Sequence, residues 1–316
     1  MVRKTKWIET SAADDPVDEV ARHALEGRLD FVWHFLSRAA AVNHQPEDVH
    51  QLRVATRRAT AALQTFRALL PRRRARKMKK QLKRIRLAAG DARDLDVLAA
   101  RLEKDRTAVS DDASIAKLLH FVTRLREQAQ PAIEKLYDHL SSKDRFARRT
   151  QAILAWLRDR SADDLVDAHT FVDVARHDLS PLVERFFTAA AADLSQPDAL
   201  HRLRICGKRV RYAMEIFGGA FGPEMREEIY PIVAEIQDKL GKINDHVTAG
   251  RLYAHWRHRV DEPDVADLLH LLIAEEHRST EQGRHDFLAW WTAGRSADLR
   301  DRFEQRFAGQ PHGQTA

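Results

Sequence analysis

Two stretches of the sequence place a histidine and two basic residues on one face of a predicted helix. Each histidine is followed by Arg three positions later and by Arg or Lys seven positions later. The two sets are His50, Arg53 and Arg57, and His201, Arg204 and Lys208. At about 100° per residue, such positions lie within roughly 60° of one another on the helix. Guanidinium and ammonium groups bind phosphate oxygens, and a neighbouring histidine can donate a further hydrogen bond. Both stretches therefore predict an anion-binding face.

The other face of the first of these helices is apolar, which turns its basic residues away from the core. The apolar residues recur at helical spacing and are Leu52, Ala55, Ala59, Ala62, Leu63, Phe66 and Leu70. A third helix shows the same division, with candidate anion-binding residues at Arg76, Lys79, Lys80, Lys83 and Arg86. We add Arg58, Arg209 and Arg211 to the predicted site because they lie beside the two histidine-containing sets.

The positive charge is concentrated in one segment. The net charge of the chain is +6, yet fifteen residues between Arg53 and Arg93 are Lys or Arg and only Asp91 is acidic. The rest of the chain is therefore net negative. Exposed helices usually intersperse the two signs to gain i,i+4 pairs, so this segment predicts an anionic partner.

The sequence repeats itself once at an offset of 151 residues. The segment from Gln45 to Arg53 aligns with the segment from Gln196 to Arg204, and Asp94 aligns with Asp245. Such self-similarity indicates a duplicated unit. At the same offset Arg76, Lys77 and Arg84 are replaced by Glu227, Glu228 and Glu235. We therefore expect a lopsided binding surface, with a second basic helix in the first half only.

Each copy has the pattern of the same run of helices, and no strand pattern is found. We expect helices from about residues 16 to 42, 46 to 70 and 73 to 105, with an interruption at Gly90, and a fourth from about 113 that breaks near Ser141. The second copy repeats them, with helices starting at Pro197, near Pro223 and at Pro263. Short connections favour antiparallel packing. The predicted fold is all-α, with two antiparallel four-helix bundles.

Length and composition limit the number of domains and the classes of protein to which the chain can belong. The chain of 316 residues has room for about two domains, and 44% of it is hydrophobic. A single cysteine, Cys206, excludes a disulfide framework and a Cys-rich zinc module. No apolar run reaches the roughly 18 residues of a membrane span, which predicts a cytoplasmic protein. We expect a flexible extension over residues 1–15, a first half over 16–160, a second half over 161–310 and a disordered tail over 311–316.

The motifs of both halves resemble those of the CHAD domain, the conserved histidine α-helical domain. The matching stretches are His50-x-x-Arg53-x-x-x-Arg57-Arg58 with Ala89 to Val97, and His201-x-x-Arg204-x-x-x-Lys208-Arg209 with Leu240 to Asp245. The resemblance covers about residues 15 to 300. It implies two bundles related by a pseudo-twofold axis around a basic groove or pore. It also implies binding of inorganic polyphosphate and association with polyphosphate granules.

Two other functions fit parts of the sequence. Nucleic acid is a second candidate partner because phosphate contacts dominate its binding, but no aromatic residue lies among Arg72 to Arg93 for base stacking. A metal-dependent hydrolase of phosphoanhydrides could use Asp91, Asp94 and Asp96. Of these three acids only Asp94 has an aspartate, Asp245, at the matching position of the second copy. A structural role in positioning an arginine explains this match more simply than metal binding does. We therefore predict a binding protein without catalytic residues, cofactor or metal.

Overall fold

The computed structural model describes residues 6–8, 13–106, 112–159 and 170–308. Over these residues it is all-α, as predicted, and two residues, Pro16 and Thr170, form an isolated β-bridge. The helices are α1 (Val17–Ala39), α2 (Pro46–Thr65), α3 (Arg72–Ala88), α4 (Gly90–Arg106), α5 (Asp112–Ser141), α6 (Arg145–Arg158), α7 (Phe171–Ala190), α8 (Pro197–Phe217), α9 (Tyr230–Arg257), α10 (Pro263–Trp290) and α11 (Ala293–Ala308). None of the described helices is long and apolar enough to cross a membrane.

The helix boundaries follow local sequence signals. Helix α2 begins at Pro46, and the backbone N–H of Gln45 donates to Asp48 Oδ2 at 2.9 Å, which closes a capping box. The predicted interruption at Gly90 separates α3 from α4. The predicted break near Ser141 separates α5 from α6, where Lys143 and Asp144 adopt left-handed backbone conformations. These signals located the start of α2 and both interruptions, but α1 and α2 end earlier than predicted, at Ala39 and Thr65.

The helices of the two halves follow one another in the same order. Helices α1 and α2 correspond to α7 and α8, and α5 and α6 correspond to α10 and α11. The counterpart of α3 and α4 is a π-helical turn at Met225–Ile229 followed by the long helix α9. The origin of this order in a duplication stays a prediction.

Two apolar clusters hold the helices together, and each contains residues of both halves. The larger cluster joins α1 and α2 to α7 and α8, with the rings of Phe66 and Phe217 6.3 Å apart. The apolar faces predicted for α2 and α3 are buried in it. The smaller cluster packs α4 and α5 against α9 and α10, for example through Leu98 and Tyr253. The predicted boundary near residue 160 lies outside the described residues, and the division into two domains stays a prediction.

A buried ion pair also links the halves. Glu215 of α8 is only 1% exposed, and both of its oxygens accept hydrogen bonds from Arg58 of α2, at 2.7 and 3.1 Å. The hydroxyl of Tyr230 donates to the same carboxylate at 3.0 Å. Burial lowers the pKa of nearby Arg28 to about 10, and Glu215 opposes this shift. One carboxylate of the second half thus compensates two arginines of the first half.

Residues near the N-terminus pack on this region. The ring of Trp7 lies edge-on to Tyr230 with centroids 4.7 Å apart, and the Lys6 carbonyl accepts a hydrogen bond from Arg28. The backbone N–H of Val172 donates to the Ala13 carbonyl at 3.0 Å. These described residues of the predicted extension thus contact the helices, and the flexibility of the extension as a whole stays a prediction. The predicted C-terminal tail, residues 311–316, lies outside the described residues.

The Glu215 ion pair yields a stability prediction. Glu215→Gln leaves half-buried Arg58 and buried Arg28 without a full counter-charge, and we expect it to cost about 3–5 kcal/mol of unfolding free energy. Glu275→Gln, which removes the partner of exposed Arg278 on α10, should cost less than about 1 kcal/mol. Denaturant titrations monitored by circular dichroism measure both values. Equal small losses for the two variants would contradict the role assigned to Glu215.

Candidate functional site

Basic residues from both halves meet where α2 packs against α8. Arg57 of α2 lies close enough to Arg204 and Lys208 of α8 to influence the pKa of both. Lys208 has its pKa lowered to about 7, first by burial and then by Arg204, Arg57 and Arg211. Asp245 of α9 is the only acid among the groups that shift this pKa, and it opposes the change. Positive charge here therefore exceeds the negative charge available to balance it.

His50 extends this group along α2. Its side chain is half-buried, and its pKa is lowered first by burial and then by Arg93, Arg57 and Arg53, with Glu47 opposing. The imidazole is therefore neutral at neutral pH and can donate or accept one hydrogen bond on each nitrogen according to its tautomer. Such a histidine can still donate the hydrogen bond that the sequence predicted.

A carboxylate positions Arg53. Its guanidinium donates to Asp94 Oδ1 at 2.7 Å and to the Gly90 carbonyl at 2.9 Å, where α4 begins. Asp94 is thus a positioning residue, as the sequence predicted. Asp245, its counterpart at the 151-residue offset, raises the pKa values of Arg204 and Lys208 against the effect of burial. We call the cations and histidine gathered here the central basic group; its members are His50, Arg53, Arg57, Arg93, Arg204 and Lys208.

The other predicted site residues take different positions. Arg58 is engaged by Glu215, and Arg211 lies 5.3 Å from the ring of Tyr212 and close to the same carboxylate. His201 and Arg209 are exposed on α8. The residues predicted on α3 are all exposed and are Arg76, Lys79, Lys80, Lys83 and Arg86. None of these α3 residues is among the groups that shift the pKa of His50 or Lys208.

Sequence reasoning missed Arg93 as a member of the central basic group. Arg93 belongs to α4, and its proximity to His50 arises because α4 turns back beside α2. The available signal was its position next to Asp94 in the motif that includes Gly90. A residue that follows a helix break is difficult to assign to a face, because the break resets the helical phase.

Two of the three acids considered for metal binding, Asp94 and Asp96, have arginine partners. Asp94 pairs with Arg53, and Asp96 Oδ1 accepts a hydrogen bond from Arg126 Nε at 2.7 Å. Among the described residues, no three His, Cys, Asp or Glu side chains are grouped so that they could hold a metal ion. The contacts of Asp94 and Asp96 are those of residues that fix arginine side chains.

Comparisons with known proteins agree with this architecture. The family model of the CHAD domain matches residues 23–254. The crystal structure of the CHAD domain from the plant Ricinus communis superposes with a TM-score of 0.69 at 24% identity, covering 98% of each chain. PptA from Streptomyces chartreusis superposes with a TM-score of 0.61 at 19% identity, covering 88% of this chain and 99% of that one. No curated protein matches the sequence. The two structural likenesses show a shared fold.

The lowered pKa of Lys208 predicts a pH-dependent cost to stability. Below about pH 7 the lysine is protonated in both the folded and unfolded states, and the folded state carries the full penalty of a crowded charge. The penalty shrinks as the pH rises above 7, since only the unfolded state then binds the proton. Lys208→Gln should therefore raise the melting temperature more at about pH 6 than at about pH 9.

Thermal melts of Lys208→Gln at the two pH values measure this difference. The matched control is Lys135→Gln, which changes an exposed lysine of α5 and should shift both melting temperatures equally. The same shift for both variants at both pH values would show that Lys208 carries no penalty in the folded protein.

Proposed function

The chain belongs to the CHAD domain family, and from that premise we propose that it binds inorganic polyphosphate through the central basic group. The observation that carries the proposal is Lys208, whose amine lies among three guanidinium groups with Asp245 as the one opposing acid. A polyanion placed there supplies the missing negative charge. It therefore favours the protonated form of the Lys208 amine, which burial disfavours. Binding thus relieves a cost that the free protein carries.

The arrangement suits a chain of phosphates better than a single anion. Arg57 approaches from α2, and Arg204 and Lys208 approach from α8, so a linear polyanion meets cations from both sides. Arginine binds phosphate oxygens through two parallel hydrogen bonds, whereas lysine acts as a point charge. The exposed cations of α3 offer further contacts to a chain that extends beyond the central basic group.

The proposed role is binding without turnover. Hydrolysis of a phosphoanhydride needs an activated water molecule and stabilisation of the charge that moves to the leaving oxygen. Asp94, the carboxylate that contacts Arg53 of the central basic group, already has Oδ1 engaged by that arginine. We propose that the protein is recruited to polyphosphate granules and tethers, organises or protects the polymer there.

Competition between polyanions tests the proposed ligand. Polyphosphate should bind more tightly than single-stranded or duplex DNA of equal charge, because the central basic group offers cations and no base-stacking platform. Affinity should fall steeply between about 50 and 200 mM salt, since binding releases condensed counterions. Arg57→Ala should weaken polyphosphate binding by about tenfold, as expected for loss of a charged hydrogen bond.

These affinities are measured by fluorescence anisotropy, with phosphate release followed in the same samples in the presence of Mg²⁺. The control is Arg278→Ala, which removes an exposed arginine of α10 that pairs within its own helix. Tighter binding of DNA than of polyphosphate would contradict the proposed ligand and favour nucleic acid instead. Phosphate release that Asp94→Asn abolishes would make the protein an enzyme.

The affinity for polyphosphate should depend on pH through Lys208. Because its pKa is about 7 in the free protein and an adjacent polyanion raises it, binding takes up a proton. Affinity should then fall by up to about tenfold per pH unit as the pH rises above 7. In Lys208→Arg, whose guanidinium stays charged, the fall should disappear while binding is retained. Equal pH profiles for the two proteins would assign the dependence to another group.

A further inference from the structure

A second basic cleft lies between α3 and α6, outside the residues of the central basic group. Its volume is about 490 Å³, within the roughly 300–1,000 Å³ range of small-molecule sites. The residues that line it are Arg74, Lys77, Arg145, Arg148, Arg149 and Ala152. Five of these six are cations, so the cleft concentrates positive charge.

Contacts between the two helices fix the walls of the α3–α6 cleft. Arg74 donates to the Ala152 carbonyl at 2.8 Å, and Arg149 donates to the side-chain oxygen of buried Gln81. The indole N–H of Trp156 donates to the Leu69 carbonyl at 3.0 Å. These bonds show that α3 and α6 run antiparallel. Arg74 and Arg149 are therefore fixed between the two facing walls before any ligand arrives.

The charges of the cleft lack acidic partners. No described carboxylate lies within ion-pair distance of Lys77, Arg145 or Arg148. Helix α6 begins at Arg145 and has no acid in its first turn, and its N-cap residue Asp144 makes no capping hydrogen bond to the N–H groups where the helix dipole presents positive charge. Cations at this end of a helix are unfavourable in the free protein, and an anion bound beside them would offset both charges.

The second half of the chain provides an internal comparison. At the 151-residue offset Lys77 becomes Glu228, which pairs with Arg302 of α11 at 3.5 Å. Glu224 likewise pairs with Arg306 of α11 at 3.3 Å. The corresponding helix surfaces are thus closed by ion pairs within the chain. In the first half both surfaces are cationic, and the compensating charge must come from outside.

We propose that the α3–α6 cleft is a second binding site for a segment of inorganic polyphosphate. The proposal rests on the proposed function, because it assigns the same polymer to another part of the molecule. The forked donors of Arg74, Arg145 and Arg148 suit tetrahedral phosphate groups, and Lys77 adds a point charge between them. With two sites, one protein molecule holds two segments of polymer and cross-links separate chains.

Calorimetric titration of the full chain with tripolyphosphate tests the number of sites. The wild-type protein should bind two molecules. Lys77→Glu should weaken one of the two sites by at least about tenfold and leave the other unchanged. The double variant Arg57→Ala/Lys208→Gln should remove the other site instead. With long polyphosphate, the wild-type protein should form assemblies that scatter light, and Lys77→Glu should not.

A stability measurement separates loss of a binding site from loss of folding. Lys77→Glu places an acid where Glu228 lies in the second half, so the melting temperature of the free protein should rise. If it falls instead, Arg148→Gln replaces it as the test, because that variant removes a charge from the other wall without inserting an acid. The same selective loss of one site is expected for Arg148→Gln.

The outcomes distinguish the two proposals. Unchanged binding of two tripolyphosphate molecules by both variants, or a single wild-type site that neither variant affects, would overturn the cleft as a binding site and leave the proposed function standing. A cleft that binds single-stranded DNA more tightly than tripolyphosphate would overturn the assigned ligand. If polyphosphate binds at neither site, the proposed function itself is refuted.

Discussion

Burial of unbalanced positive charge between α2 and α8 is the constraint on which the rest of the structure depends. The packing of these two helices brings Arg57, Arg204 and Lys208 together, and burial, followed by repulsion from the neighbouring arginines, lowers the pKa of Lys208 to about 7. Apolar contacts on the other faces, such as that between Phe66 and Phe217, hold the helices in place against this repulsion. The folded protein therefore carries an excess of positive charge that a bound polyanion can neutralise.

Acids are distributed so that they fix cations without neutralising the central basic group. Glu215 compensates Arg58 and Arg28 in the interior, and Asp94 orients Arg53 from the start of α4. Asp245 compensates Lys208 only in part. This distribution of acids positions the basic side chains and still leaves a net positive potential at the central basic group. Such preorganisation lowers the entropic cost of binding, because the side chains are ordered before the ligand arrives.

Local features of the fold were predictable from the sequence, and contacts between the halves were not. The helical period located the buried face of α2, and Pro46 marked the start of that helix. The role of Asp94 in positioning an arginine followed from its recurrence as Asp245 at the 151-residue offset, but the sequence did not identify Arg53 as that arginine. In contrast, the burial of Arg58 against Glu215 and the lowered pKa of Lys208 arise from residues far apart in the chain. The α3–α6 cleft was missed for the same reason, since only packing brings Lys77 and Arg148 together.

Direct observation of the Lys208 amine with and without ligand tests the central claim. Nuclear magnetic resonance titration of lysine side chains labelled with ¹³C, assigned through Lys208→Arg, gives its pKa in both states. The account predicts a value of about 7 in the free protein and a rise of at least about two units when polyphosphate is bound. An ordinary lysine pKa in the free protein, or a value that polyphosphate leaves unchanged, would contradict it.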